Sequence, residues 1–122
     1  MSNILFDSVM QGLNSALTLH QRRHEVLASN LANVETPRYR AQDLDFGRAL
    51  SEAFEGHATG PDGPSHADLV EDRTGPLRAD GNTVDVDFQM AKLGANGGRY
   101  VALARILGLR LALLRQAIEG NR

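Results

Sequence analysis

Apolar residues and two histidines recur through the first third of the chain at alternating steps of four and three: Phe6, Met10, Leu13, Leu17, His20, His24, Leu27, Leu31 and Val34. Such a heptad seam predicts a long helix with one inward stripe. We place it at residues 8–33, which at 1.5 Å per residue makes it roughly 40 Å long. Asp7 or Ser8 suits its N-cap. Thr36-Pro37 ends it, because the residue before a proline is pushed out of the α region.

The last third repeats the spacing at Val86, Met90, Leu93, Gly97, Tyr100, Ala104, Leu107, Leu111, Leu114 and Ile118. A second helix is expected over residues 86–118, roughly 50 Å long, with Asp85 or Asp87 at the end where the helix dipole favours negative charge. Between the two helices the period disappears. "LDFGRALSEAF" predicts a short helix, while Pro-Asp-Gly, Gly-Pro and Asp-Gly are turn signals. Residues 56–66 read as a mobile loop, and Leu69-Val70 with Leu77 as a small β-hairpin. The expected fold is mainly α: two long terminal helices form an antiparallel coiled-coil hairpin, joined by an irregular region with the short helix and the β-hairpin. It is one domain in three parts: an N-terminal helix at 1–34, a turn, short helix and loop at 35–83, and a C-terminal helix at 84–122.

The second half of the C-terminal helix, "YVALARILGLRLALLRQAI", is apolar except for Arg105, Arg110, Arg115 and Gln116. The arginines are five apart, so each step rotates about 140° and they point in three directions. A helix without a polar face is normally buried or in a membrane. The arginines argue against a membrane, each costing about 2.5–3.5 kcal/mol at a bilayer centre. One partner helix cannot cover the circumference, so the rest must meet other subunits. Gly94, Gly97, Gly98 and Gly108 lie in the same helix, each costing about 0.8–1 kcal/mol relative to alanine. Either they weaken the isolated helix so that it orders on assembly, or they permit a bend or a close helix contact.

Composition narrows the function. The chain has 122 residues and a net charge of -2, which points to neither nucleic acid nor strong membrane binding. Aromatics are 5% of residues and tryptophan is absent, so a thick core is not expected. Without cysteine there are no disulfides and no thiolate metal sites. The N-terminus lacks a basic region and is interrupted by Asp7, Gln11 and Asn14, unlike a secretory signal. No apolar run reaches the roughly 18 residues of a membrane span. Export would need a route without signal cleavage.

Little in the chain suggests catalysis. His20 and His24 have an i,i+4 spacing that can bind a metal, but there is no zinc-protease glutamate between them and no evident third ligand. They read better as interface histidines, which titrate near about pH 6.5 and would make assembly pH-sensitive. Asp43, Asp45, Asp85 and Asp87 form carboxylate pairs with no nucleophile or oxyanion signal, so helix caps and intersubunit salt bridges explain them better. "GPDGPS" lacks the Gly-Lys-Ser/Thr of a phosphate loop. We expect no enzyme activity, cofactor or metal. The most particular string is "ASNLANVETPRYR". There Asn30 and Asn33 can satisfy backbone groups at the helix end, tie the Thr36-Pro37 turn back and shape a subunit contact. Tyr39 reads as a packing anchor, and Arg38 and Arg40 as solvated charges or partners for a neighbour's acids.

"SNLANVETPRYRAQDLDF", Ser29 to Phe46, resembles the N-terminal signature of the bacterial flagellar rod, hook and axial proteins. That signature runs Asn, aliphatic, Ala-Asn, two variable residues, Thr-Pro, Gly, Tyr and a basic residue. "RAQDLDF" and "DGNTVDVDFQMAKLGANGGRY" are similar to the proximal-rod branch of the family. The resemblance covers most of the chain except about residues 55–75. One departure is Arg38, where the family usually has the glycine that allows φ > 0; arginine there suggests a type I or open turn.

The resemblance implies a structural subunit of the proximal rod, exported by the flagellar type III apparatus without a cleaved signal. It would assemble helically with itself and other rod proteins into the periplasmic drive shaft that carries motor torque to hook and filament. Its other partners would be the membrane-ring (MS-ring) protein and the rod adaptor protein at the base. The matching positions imply a rod motif for subunit contact at Asn30, Asn33, Thr36, Pro37, Tyr39, Asp43, Asp45 and Phe46. They imply a C-terminal motif at Asp80, Gly81, Asn82, Val84, Asp85, Asp87, Met90, Arg99 and Tyr100. The assembly faces would be Leu103, Ile106, Leu107, Leu111, Leu114 and Ile118. Two rival readings are a small secreted helical-hairpin protein, such as a needle subunit or effector of another secretion system, and a metal enzyme using His20 and His24.

Overall fold

The structure, a computed structural model, describes residues 2–55 and 68–120, with side chains from residue 8 onward. The expected loop at 56–66 lies outside the described residues, as does the side chain of the seam position Phe6. Five elements follow in order: α1 (Ser2–Ala32), β1 (Gln42–Leu44), α2 (Phe46–Phe54), β2 (Leu69–Glu71) and α3 (Val86–Glu119). α1 and α3 run antiparallel, as the pairs Asn30–Gln89 and His20–Asn96 show. Further along, Met10 and Asn14 of α1 share a groove with Leu107 and Leu111 of α3. The fold class is therefore the expected one, a helical hairpin with a small insertion.

Several local expectations change. α1 begins at Ser2, so neither Asp7 nor Ser8 caps it; no glycine or proline interrupts residues 2–7, and the helix runs through. α3 starts where expected, with Asp85 accepting a hydrogen bond from the Phe88 N–H at 3.2 Å. β2 does not pair with the segment around Leu77. It pairs antiparallel with β1, Leu69 opposite Leu44 and Glu71 opposite Gln42. α2 lies between the two strands in sequence, so the pairing closes the insertion around α2 instead of forming a local hairpin.

α1 carries more than the one stripe that its heptads predict. Leu13, Ala16, Leu19, His20, Leu27 and Asn30 are buried, while the seam position His24 is exposed. One face meets α3 and another meets α2 and β1, where Leu19, Leu44 and Ala49 form the core with Val26, Phe46 and Leu50 around them. Full burial of a leucine such as Leu19 stabilises by about 1.5–3 kcal/mol. Gly12 lets α2 come close: a Cβ there would stand 2.6 Å from Phe54 Cδ1.

α3 corrects the seam more strongly. Val86, Met90, Tyr100, Leu111 and Ile118 are exposed, and the buried residues are the amides Gln89 and Asn96. The cause lies opposite, on α1. Asn30 and His20 are buried there, and only polar partners can satisfy them. The helix turns its two amides inward, which leaves Val86, Met90 and Tyr100 at the surface while Leu93, Leu107 and Leu114 of the seam stay half-buried.

Candidate functional site

The rod-motif string folds into a corner at the α1 end. The Asn33 side chain donates to the Ser29 carbonyl at 2.8 Å, and its Oδ1 accepts from the Thr36 hydroxyl at 3.1 Å. The turn is thus held to the last turn of α1. Arg38 then takes φ 64°, in the left-handed region, and not the type I or open turn expected of a non-glycine residue. Its N–H donates to the Asp80 carbonyl at 2.9 Å, which fixes the backbone direction against a segment far along the chain. The tertiary bond overrides local preference.

Asn82 closes the corner from the other side. It is fully buried, and its single Nδ2 lies within bonding distance of three carbonyls, those of Asn33 at 2.9 Å, Val34 at 3.1 Å and Thr36 at 2.8 Å. These carbonyls lie in the turn just beyond α1, and two of them also accept backbone bonds, Asn33 from the Thr36 N–H and Thr36 from the Tyr39 N–H. Its Oδ1 accepts from the Val84 N–H at 2.7 Å, and its own N–H donates to Asp80 Oδ1 at 3.0 Å. The Arg78 guanidinium also reaches the Val34 carbonyl. Asp80, Gly81 and Asn82 of the C-terminal motif therefore meet Asn33, Thr36 and Arg38 of the N-terminal one.

Asn30 is the second hub. Its Nδ2 donates to the Gln42 carbonyl at 2.7 Å and to Gln89 Oε1 at 3.0 Å. Its Oδ1 accepts from the Gln42 N–H at 3.0 Å and the Tyr39 hydroxyl at 3.2 Å. One side chain thus ties α1 to β1, α3 and the corner. Asn30 and Asn82 are wholly enclosed by their own chain, so they can shape a subunit contact but have no surface to touch one.

From Gln89 the polar path continues. Gln89 Nε2 donates to Asp72 Oδ2 at 3.2 Å, and Lys92 Nζ lies 2.5 Å from the same oxygen and 3.3 Å from Asp43 Oδ2. Asp43 also receives a two-pronged hydrogen bond from Arg23, both arms at 2.9 Å. Burial alone would raise the Asp72 pKa, but hydrogen bonds from Lys92 and Thr74 outweigh it and bring it from 3.8 down to about 2. Asp43 behaves alike: burial pushes up, and Arg23, the Leu44 N–H and Lys92 pull its pKa below the ordinary value. Both aspartates are therefore ionised and paired within the chain.

His20 and His24 separate. His20 Nδ1 donates to Asn96 Oδ1 at 2.7 Å, Asn96 Nδ2 returns a bond to the His20 carbonyl at 2.7 Å, and the ring packs 4.4 Å from Phe46. Burial, with smaller contributions from Arg23 and Arg99, lowers its pKa against the opposing pull of Asn96. His24 is exposed on the rim of a 350 Å³ groove whose lining includes Gly97, Tyr100, Val101 and the edge of His20 itself. Among the described residues, no group of three or more His, Cys, Asp or Glu is placed to hold a metal.

Of the remaining expected site residues, Phe46 is half-buried, with the Arg23 guanidinium 5.4 Å from its ring centre. Asp45 precedes α2 without a side-chain capping bond, and Pro37 is exposed. Asp87, Met90, Arg99 and Tyr100 are exposed on α3. Leu103, Leu107 and Leu114 are half-buried and Ile106, Leu111 and Ile118 exposed, although Leu111 borders the groove with α1. Leu109 and Leu113 join these, at 66% and 62% exposure, so the apolar girdle runs around the helix. The sequence reading missed Arg23, Asp72, Gln89, Lys92 and Asn96. Gln89 and Asn96 are seven apart, one heptad, and that polar repeat beside the apolar seam was their signal.

Comparison with known proteins identifies relatives of the chain. The family described as flagella basal body rod protein matches residues 10–40, which span the α1 seam and the corner. The chain is 31% identical to the flagellar basal body rod protein FlgB of Aeromonas hydrophila, over 97% of this chain and 98% of that protein. It is 35% identical to the FlgB of Cereibacter sphaeroides over 87% and 90%, and 28% identical to that of Bacillus subtilis over 97% and 98%. These relatives are structural rod proteins and not enzymes. With this identity sustained across almost the whole of both chains, the chain belongs to the family of the flagellar basal body rod protein FlgB.

Proposed function

We propose that the chain is a structural subunit of the proximal rod, which self-assembles helically with other rod proteins into the drive shaft of the flagellum. The observation that carries this reading is the distal half of α3. Val101, Ile106, Leu109, Leu111, Leu113 and Ile118 are each at least 45% exposed, yet they lie on different sides of one helix. A monomer has no use for such a surface, and contiguous exposed apolar area marks an interaction site. Packed between neighbours, it becomes interior, and dense interiors transmit strain. That property suits a shaft under torque.

In this reading the corner sets the angle at which the insertion leaves the helical hairpin. The buried hubs Asn30 and Asn82 hold that angle, while Tyr39, Arg38 and Arg40 reach the surface. The partners are further copies, other rod proteins, and the membrane-ring and adaptor proteins at the base, reached through the type III export apparatus without signal cleavage. Deleting the gene and imaging basal bodies by electron microscopy tests the proposal. We expect non-motile cells whose basal bodies lack the rod; intact rods and normal swimming would overturn it.

A further inference from the structure

Charge is divided along the hairpin. All but Asp7 and Glu119 of the 15 acidic residues lie between Glu25 and Asp87, in the part of the chain that builds the corner and the insertion. Residues 88–118 carry Lys92, Arg99, Arg105, Arg110 and Arg115 and no acid, and residues 8–24 carry Arg22 and Arg23 and no acid. The corner and insertion thus carry a net negative charge despite Arg38, Arg40, Arg48, Arg73 and Arg78, whereas residues 88–118 of α3 carry only cations. Lys92 and Arg23 are neutralised by Asp43 and Asp72, and Arg115 by Glu119. Among the described residues, no carboxylate stands within ion-pair distance of Arg99, Arg105 or Arg110. Likewise, among the described residues, no cation stands within ion-pair distance of Glu35 or Asp87, both exposed at the corner.

These groups cannot neutralise each other within one subunit. Asp87 and Arg99 stand about 18 Å apart along α3, and at physiological salt the field of an exposed charge fades over about 8 Å. We infer that a second copy of this chain supplies the missing partners: its Glu35 and Asp87 corner lies beside the Arg99 and Arg105 stretch of the first. Contact between one copy's end and another's flank is heterologous, and repeated without closing into a ring it builds an open helix. The apolar girdle provides the contact area, and the unpaired charges set the axial stagger, as complementary charge fixes register elsewhere. The cations sit among apolar side chains, so a neutral neighbour would bury them without partners, whereas a staggered copy would not. This inference rests on the proposed role as an assembling subunit and specifies the contact between copies.

The test uses full-length variants in a strain deleted for the gene, with rods counted by electron microscopy and swimming measured in soft agar. One variant combines Arg99→Glu and Arg105→Glu, and another combines Glu35→Lys and Asp87→Lys. Each alone should lower rod number at least tenfold, with circular dichroism of the purified chains showing unchanged helix content. The fourfold variant should recover most of the loss. Co-expressing the two defective variants in one cell should also recover it, because each can then pair with the other. If neither combination restores rods, or if the reversals leave rods unaffected, copies do not meet in this way and the inference is overturned. Both outcomes are distinct from intact rods in the deletion strain, which would instead remove the structural role itself.

Discussion

Gly81 packs against Arg38: a Cβ built on Gly81 would stand 3.4 Å from Arg38 Cα. These are the two described residues with positive φ, at 81° and 64°. The two bends interlock at the corner, and one of them is made by a residue ill suited to it. A left-handed non-glycine residue costs about 1–2 kcal/mol. Arg38→Gly should therefore stabilise the chain by about 1 kcal/mol, after the extra freedom glycine gives the unfolded chain. The melting temperature should rise by a few degrees. Gly81→Ala should lower it by a similar amount. A lower melting temperature for Arg38→Gly would show that the arginine side chain contributes more than its backbone costs.

Asn82→Ala should be among the most damaging single changes. It leaves the Val84 N–H without its partner and removes one of two donors from each of the Asn33, Val34 and Thr36 carbonyls. An unsatisfied buried group costs about 1–3 kcal/mol, so a loss of about 2 kcal/mol is expected. Urea unfolding should show a lower midpoint with little change in slope. Asn82→Asp, similar in size but without the donor, should be no better, which separates hydrogen bonding from packing.

Lys92→Met should unfold the insertion from the hairpin. It leaves Asp43 and Asp72 facing each other with Arg23 as the remaining cation, and breaking a buried ion pair costs about 3–5 kcal/mol. Amide exchange should speed up first at β1, β2 and the segment around Asp72, before α1. Exchange that rises evenly over the chain would mean that the insertion and hairpin unfold as one unit.

Acid should weaken the fold in two steps. The His20 pKa lies below its ordinary 6.5, so the unfolded chain takes up a proton first. Stability is then full above about pH 6.5 and declines as the pH falls towards the folded pKa. Asp72 titrates at about 2 in the fold against 3.8 unfolded, so its contribution is full above 3.8 and is lost as the pH falls through 2. Melting temperatures measured from pH 8 to pH 2 should show both steps, and His20→Gln should remove the upper one. An unchanged upper step in that variant would assign it elsewhere.

Gly98→Ala should raise helix stability. A Cβ at Gly94, Gly97, Gly98 or Gly108 meets nothing within 4 Å, so none of these glycines permits a close contact inside the chain. Each substitution should therefore recover about 0.8–1 kcal/mol in the isolated subunit. If a neighbour packs on this face, the same change should reduce rod assembly while the melting temperature rises. Opposite signs in the two measurements would locate the glycines at a subunit contact.

The heptad steps, the Thr-Pro stop and the Asp85 cap determine by themselves that two long helices form and where α3 begins. These are local effects: side-chain period and capping act within a few residues. The missing polar face of α3 is equally local, since it depends only on the 100° turn per residue. What the chain order could not show is which α3 face turns inward. An apolar seam predicts Val86 and Met90; the folded chain buries Gln89 and Asn96, because Asn30 and His20 across the interface need hydrogen-bond partners. The left-handed turn at Arg38 and the pairing of β2 with β1 likewise depend on Asp80 and on Gln42–Leu44, distant in sequence and adjacent only after folding. Period is a property of neighbours along the chain, whereas satisfying a buried polar group depends on what tertiary packing places beside it.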